Sequence, residues 1–360
     1  MTRKLIFVAP FPPEHHGQAV SSQKLFSELE ERLVNFNIRR VDTNKKSARY
    51  GSLQRVFTMV AAFFIVLWAP FSAAIYLSLN ARKGMLFSLV LALISRIKKQ
   101  KLLIHHHTYS HISNYSSLFN CLAKCAGNEA LHITICDQMS YELMSKYPAD
   151  VKNCMAISNT SSVEDNLLSI DLPLPPFKSI GFLSNLTREK GLISVIETFE
   201  RAKQKGLVEK LYIAGPLSDG QLALLIENKK KKHGDSFCYL GAVYGEEKKK
   251  FFASIDVFIF PSKYINETQG IVNLEAMASG RPVVAYGKCC IPSDLEGSGG
   301  ISINENLDFA GEFVAYLEDQ KYGDNLHLPR KRFNALCEQH YRQITNLIEF
   351  IKQEKKCQLP

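Results

Sequence analysis

The sequence has no C-x-x-C pair, no signal-like leader and no internal repeat. Its nine cysteines are scattered, and the adjacent Cys289 and Cys290 suit neither a zinc knuckle nor an easy disulfide. An odd number of thiols without framework spacing fits free cysteines in a reducing compartment. The opening apolar run, Leu5–Ala9, is too short for a secretory leader, and Pro10, Pro12 and Pro13 cut it at once. A cytoplasmic protein is expected. Acidic residues are scarce in the first half. Residues 1–172 hold 19 Lys and Arg against 12 Asp and Glu, net +7, whereas the remainder holds 25 against 23, net +2. The excess positive charge belongs to the first half and implies an anionic partner there, such as a membrane surface, a lipid phosphate or nucleic acid. Lys229–Lys232 reads as a solvated helix end before Gly234, where cations suit the helix dipole. No nucleic-acid partner is expected.

Val56–Leu79 is a stretch of 24 residues without a charge. A membrane-spanning helix needs about 20 apolar residues, but Pro70 divides the stretch. The expected reading is a core helix over Val56–Ala69 and a buried strand over Ala73–Leu79. Lys45, Lys46, Arg49 and Arg55 precede the apolar run, and Arg96, Lys98, Lys99 and Lys101 close the helix after it. Basic residues beside apolar ones also fit a protein seated on the inner face of the plasma membrane without crossing it.

At 360 residues, 46% hydrophobic and 22% charged, the chain is a folded protein of two domains. Short apolar runs alternate with amphipathic stretches. Strands are expected at Leu5–Ala9, Ile75–Leu79, Leu102–His105, Ser179–Leu183, Leu211–Ala214, Phe237–Leu240, Val257–Phe260 and Pro282–Ala285. Helices are expected at Val20–Leu33, Met85–Ile97 and Gln221–Lys232. Leu192, Val195, Ile196 and Phe199 recur at the spacing of one helix face. Strands alternating with helices predict an α/β fold with two parallel sheets. Asp171–Phe177, with three prolines, marks the linker. The expected domains are residues 1–172 and 173–332, with a final helix in 333–360.

Four segments carry chemistry. In Phe258–Ala285 a strand ends at Pro261, a polar loop carries Glu267, and a helix opens at Gly270 and contains Glu275. The free amides of Gly270, Ile271 and Val272 and the helix dipole suit an anion, and Gly270 lets a phosphate approach the backbone. Carboxylates beside such a site accept hydrogen bonds from hydroxyls. A diphosphate flanked by polyols, a nucleotide-sugar, fits both needs. Taken alone, two glutamates at this spacing fit better a helix-capping Glu267 and a surface Glu275, because such pairs are common. The second segment, Gly181–Leu192, places Arg188 and Lys190 in a loop at the carboxyl end of a strand, where α/β ligands bind; both can neutralise a diphosphate. The third follows the first strand, where Gly17 after His16 permits close backbone approach. The fourth, Ile104–His111, has four histidines in seven residues. His105 and His107 alternate on a strand, but without Cys or carboxylate nearby a metal is not expected. A histidine contacting a sugar, or a buried structural one, fits better.

In this order the segments resemble the GT-B glycosyltransferases of glycosyltransferase family 4, over nearly the whole chain. The resemblance rests on the opening strand with Phe11-Pro-Pro13 and the loop containing Gly17, the Lys190-Gly191 loop, Ile213-Ala-Gly215-Pro216, Phe258-Ile-Phe-Pro-Ser262, Glu267 with Glu275, and Glu275-Ala-Met-Ala-Ser-Gly-Arg-Pro-Val-Val-Ala285. It implies two Rossmann-like domains facing a central cleft, an N-terminal acceptor domain, a C-terminal donor domain and a final helix, about Phe333–Lys352, crossing back onto the first. It also implies sugar transfer with retention and without a bound metal or other cofactor.

Carried residue by residue, Glu267 matches the carboxylate near the donor sugar, Glu275 the one at the ribose, and Lys190 the diphosphate lysine. Asn185 stands where the family usually has Arg, and Arg188 is the cation left in that loop. His16-Gly17 stands where Gly-Gly is common. His107 is favoured among His105, His106 and His107 as the cleft histidine. The expected catalytic set is therefore Glu267, His107 and Lys190. The expected donor-binding set is Arg188, Asn185, Gly270, Ile271, Val272, Glu275, Gly215, Gly17 and His16. The donor nucleotide is expected to be UDP, with GDP second, and the acceptor a saccharide or lipid-linked saccharide of a surface polysaccharide. A nucleotide-sugar epimerase on this fold, or a non-enzymatic basic membrane-binding protein, are the alternatives.

Overall fold

The computed structural model describes residues 3–12, 17–44, 51–79 (backbone alone for 51–55), 84–217, 219–319 and 325–353. The chain divides into two compact units, Met1–Ser162 with Gln339–Pro360, and Val163–Glu338.

The first unit runs β1 (Arg3–Ala9), α1 (Gly17–Arg32), β2 (Phe36–Asp42), α2 (Gly51–Trp68), β3 (Ala74–Ser78), α3 (Met85–Ile97), β4 (Lys101–His105), α4 (Ser110–Ser113), α5 (Ser117–Ala126), β5 (Leu131–Thr134), α6 (Asp137–Lys146) and β6 (Asn153–Ala156). Its strands form one parallel sheet in the order β2-β1-β3-β4-β5-β6. β3, buried at every position, is the expected strand, whereas β2 is an edge strand with Arg39 and Arg40 exposed. Such polar edges resist pairing with other chains and leave no apolar run to read.

The second unit runs β7 (Ser179–Leu183), α7 (Leu192–Gln204), β8 (Lys210–Ala214), α8 (Gly220–His233), β9 (Phe237–Tyr239), α9 (Gly245–Ala253), β10 (Val257–Phe260), α10 (Ile271–Ala278), β11 (Val283–Tyr286), α11 (Ile291–Leu295), β12 (Ile301–Ile303) and α12 (Phe309–Glu318). Its parallel sheet has the order β12-β11-β10-β7-β8-β9. The chain builds outward from β7 through β8 and β9, then returns to the other side of β7 to place β10. This reversal opens a crevice at the carboxyl ends of β7 and β10, the switch point where open α/β sheets bind ligands. The last helix, α13 (Leu328–Lys352), gives Phe333 and Leu336 to the second core and Ile344, Leu347 and Ile351 to the first.

Five features of the structure differ from these expectations. The division falls at 162/163 rather than 172, because Val163, Leu167 and Ile170 are buried in the second core. The proline-rich segment belongs to that unit as well: the Arg281 guanidinium donates to the Asp171 carbonyl at 2.7 Å, and Arg330 donates to Ile170 at 2.6 Å. The return to the first unit comes at 338/339, inside α13. Finally, α2 is a helix but no core helix. It buries the small Ala62 and Val66 and exposes Phe57, Phe64 and Trp68. The Lys229–Lys232 run is only partly solvated, since Lys229, Lys232 and His233 converge on Glu200, each at 2.8 Å.

Candidate functional site

In the second unit, the loops after β7 and β10 are fastened to each other. The Lys263 amide donates to the Glu189 carbonyl at 2.8 Å. Gly191 has φ +92°, and a Cβ there would lie 2.2 Å from the Pro261 carbonyl oxygen. Only glycine lets the lysine loop press against the end of β10 in this way. The result is a tight polar cluster. Lys190 Nζ donates to Glu267 Oε2 at 2.6 Å, and Ser262 Oγ donates to the same oxygen at 2.8 Å. The ammonium also lies 4.7 Å from the Tyr264 ring centroid. Glu267 is buried, so its charge is held by partners rather than by water.

Three residues beyond Glu267, Gly270 opens α10 with φ +65°. A Cβ there would sit 2.8 Å from Asn273 Nδ2 and 3.2 Å from the Phe260 ring. The same Phe260 ring lies 5.8 Å from Lys190 Nζ, so an ammonium and the N-terminus of α10 share one end of the sheet. Such an arrangement, with a carboxylate next to it, suits an anion. The glutamate loop is anchored from behind. Thr268 accepts from the Cys290 amide at 3.0 Å, and Gln269 hydrogen-bonds the buried Asp294 carboxyl, whose pKa burial pushes up to about 7.

Glu275 lies a turn further along α10 and is buried, not on the surface. Lys248 on α9 donates to Glu275 Oε1 at 2.8 Å and to Glu164 Oε1 at 2.7 Å. Burial raises the Glu275 pKa despite Lys248. Burial works against the Lys248 ammonium, but the two carboxylates outweigh it and raise its pKa. The ion pair makes Glu275 a fixed, oriented carboxylate. Lys248 and Ser262 were not foreseen.

The structure thus brings Lys190, Glu267, Gly270, Ile271 and Val272 together and holds Glu275 on the same helix. Asn185 is exposed, and Arg188 is exposed with its guanidinium donating to Gln221 Oε1 at 3.1 Å. Gly215, φ +128°, shapes the backbone, since a Cβ there would lie 1.7 Å from the Ser184 carbonyl oxygen.

In the first unit Gly17 is the exposed first residue of α1, and the neighbouring Gln18 donates to Ser78 Oγ at 3.0 Å, at the end of β3. His16 lies outside the described residues. Of the three consecutive histidines, only His107 is not buried. Its ring centroid is 4.0 Å from that of His105, whose Nδ1 is bonded to the Tyr76 hydroxyl at 2.5 Å. His106 bridges His111 at 2.9 Å and His132 at 3.0 Å. His132, on β5, was not anticipated.

Burial holds His105 and His106 well below the usual imidazole range and brings His132 to about 4 and His111 to about 3. These rings are neutral in the fold, while an unfolded imidazole takes a proton below about pH 6.5. The histidine contribution to stability is therefore full above about pH 6.5 and is lost as pH drops toward 4, with a slope of at most about 1 kcal/mol per pH unit for each histidine, while the raised carboxyls of Asp294 and Glu275 act in the opposite direction. Urea unfolding at pH 7 and pH 5 should show this loss; a flat profile would contradict the neutral cluster.

Residues 177–319 match the family described as Glycosyl transferases group 1. An uncharacterised glycosyltransferase of Methanocaldococcus jannaschii is 38% identical over 109 residues, 30% of this chain and 26% of that protein. The sulfoquinovosyl transferase SQD2 of Arabidopsis thaliana is 34% identical over 132 residues, 34% of this chain and 25% of that protein. The matched stretch thus spans about a quarter of these curated relatives. The Anabaena protein HepE, crystallised with UDP, superposes with a TM-score of 0.67 at 16% identity, covering 97% of this chain and 99% of its own. The chain has the two-domain α/β fold of the GT-B glycosyltransferases, and its second unit carries the match to Glycosyl transferases group 1.

Proposed function

We propose that the protein is a retaining, metal-independent glycosyltransferase. It moves a sugar from a nucleotide-diphosphate sugar, UDP first and GDP second, to a saccharide or lipid-linked acceptor in surface-polysaccharide assembly. The observation that carries this reading is the Lys190–Glu267 pair beside the Gly270 helix start. The donor diphosphate takes the first-turn amides of α10 and the Lys190 ammonium, which turns from Glu267 toward the phosphate oxygens. Glu267, still held by Ser262, orients the sugar. Glu275 takes the ribose hydroxyls. HepE was crystallised with UDP, which supports UDP as the nucleotide.

In the transfer, the bond from the anomeric carbon to the diphosphate oxygen breaks and the bond to the acceptor oxygen forms on the same face. The acceptor's proton passes to the departing diphosphate, so no second protein base is required. Lys190 and the amides stabilise the charge that develops on the leaving group, the kind of preorganised electrostatics that dominates such rate gains. Incubation with UDP-sugars and a panel of saccharide acceptors in EDTA tests the reading. Transfer with the anomeric configuration kept is expected. An inverted product, a strict metal requirement, or sugar isomers formed from donor alone would overturn it.

A further inference from the structure

Helix α2 and helix α3 pack against each other in the first unit and are built inside out. Facing inward, α3 buries Met85, Ser88, Leu91, Ala92 and Ser95, with Ser95 Oγ bonded back to the Leu91 carbonyl at 2.8 Å. Facing outward, it exposes Leu86, Val90, Leu93 and Ile97, the last at 72%. Those four recur at i, i+4, i+7 and i+11, one helix face. On α2 the exposed Phe57, Val60, Phe64 and Trp68 recur at i, i+3, i+7 and i+11, with Trp68 at 81%. Phe71, just beyond, is 72% exposed. An ordinary surface helix turns these stripes toward the sheet, and a soluble monomer rarely leaves so wide an apolar surface open.

The charge around this face says what covers it. Between Asp42 and Glu129 the sequence contains no Asp or Glu but eleven Lys and Arg. Lys98 ties one edge of the face together, donating to the Leu67 and Ala69 carbonyls and lying 5.2 Å from the Phe71 ring. Exposed Arg96 and Lys99 flank it. A second copy of the same face would set Arg96, Lys98 and Lys99 against the same cations, with no Asp or Glu between Asp42 and Glu129 to answer them. An anionic surface with an apolar interior satisfies both features. No described helix is long and apolar enough to cross a membrane, so the face lies in the interface instead of spanning it.

We propose that the α2–α3 face is the docking surface of the protein for an anionic lipid bilayer. Phe57, Phe64, Trp68 and Ile97 enter the headgroup boundary, and the basic flank pairs with lipid phosphates. Trp and Phe at that depth and cations at the headgroups are the usual division of labour. The inference stands on this surface alone and does not depend on the transfer reaction.

Trp68 is the sole tryptophan of the chain, so its emission reports the face without a label. The full protein is titrated with phosphatidylcholine vesicles, with and without phosphatidylglycerol, and the same vesicles are sedimented. A blue shift and co-sedimentation are expected with the anionic vesicles, and little of either with the neutral ones. Raising salt from about 0.1 M to about 1 M, which shortens the screening length from about 10 Å to about 3 Å, should weaken binding severalfold. Phe57→Glu and Ile97→Glu, at exposed positions, should each reduce binding at least tenfold with unchanged thermal melting. No shift with anionic vesicles, equal binding to neutral ones, or wild-type binding by both variants would overturn the proposal. So would a blue shift that grows with protein concentration alone, which would make the occupant a second copy.

Discussion

Replacing Glu267 by glutamine is expected to lower turnover by about 10²–10³, the effect of removing one preorganised polar group from a transition-state site, about 2.7–4 kcal/mol. The substitution keeps the shape of the side chain. Its amide oxygen can still accept from Lys190 and Ser262, which both meet Glu267 Oε2 in the wild type. Folding therefore stays close to wild type, and the loss falls on the step in which positive charge grows on the sugar. In the proposed transfer the Glu267 carboxylate faces that charge. Steady-state rates with a UDP-sugar, read beside a melting curve, check this. Turnover within a few-fold of wild type would remove Glu267 from the catalytic role.

Lys248→Met is expected to destabilise the second unit by about 3–5 kcal/mol, the usual consequence of breaking a buried ion pair from one side. Lys248 is the ammonium shared by Glu275 and Glu164, and Glu275 is buried. Without the cation, Glu275 must take a proton or remain as an unpaired buried charge. The double variant Lys248→Met with Glu275→Leu should recover much of the loss, because apolar groups of similar volume replace buried pairs at little cost. Urea unfolding of the two single variants and the double gives the coupling. Additive losses would show that the pair is not the origin of the effect.

Much of this site was legible because its parts are local. The loop carrying Lys190 and the run from Glu267 to Glu275 sit at strand ends that an apolar beat reveals, and the sheet order then brings the two loops together. Lys248 was hidden in Glu246-Glu-Lys-Lys-Lys250, which reads as solvent. The signal was its phase: Lys248 lies three and four residues before Phe251 and Phe252, both buried, and so shares their helix face. Arg188 was expected at the diphosphate because of its loop. Its contact with Gln221 depends on where α8 begins, which nothing near Arg188 in the sequence states.

The helix over Val56–Ala69 misled in the opposite way. A helix that is apolar nearly all round has no polar face to mark its outside, so burial was the natural inference. Which side meets the sheet was decided by small Ala62 and Val66 fitting there. The proline segment looked like a free linker because the arginines that stitch it down, Arg281 and Arg330, come more than a hundred residues later.

The central claim is that the lysine loop after β7 and the helix start at Gly270 bind one diphosphate. Calorimetric titration of UDP into wild type and Lys190→Ala, both in EDTA, tests it most directly. The account predicts binding to wild type and at least a tenfold loss, about 1.4 kcal/mol, in the variant. Equal UDP affinity in the two proteins would contradict it.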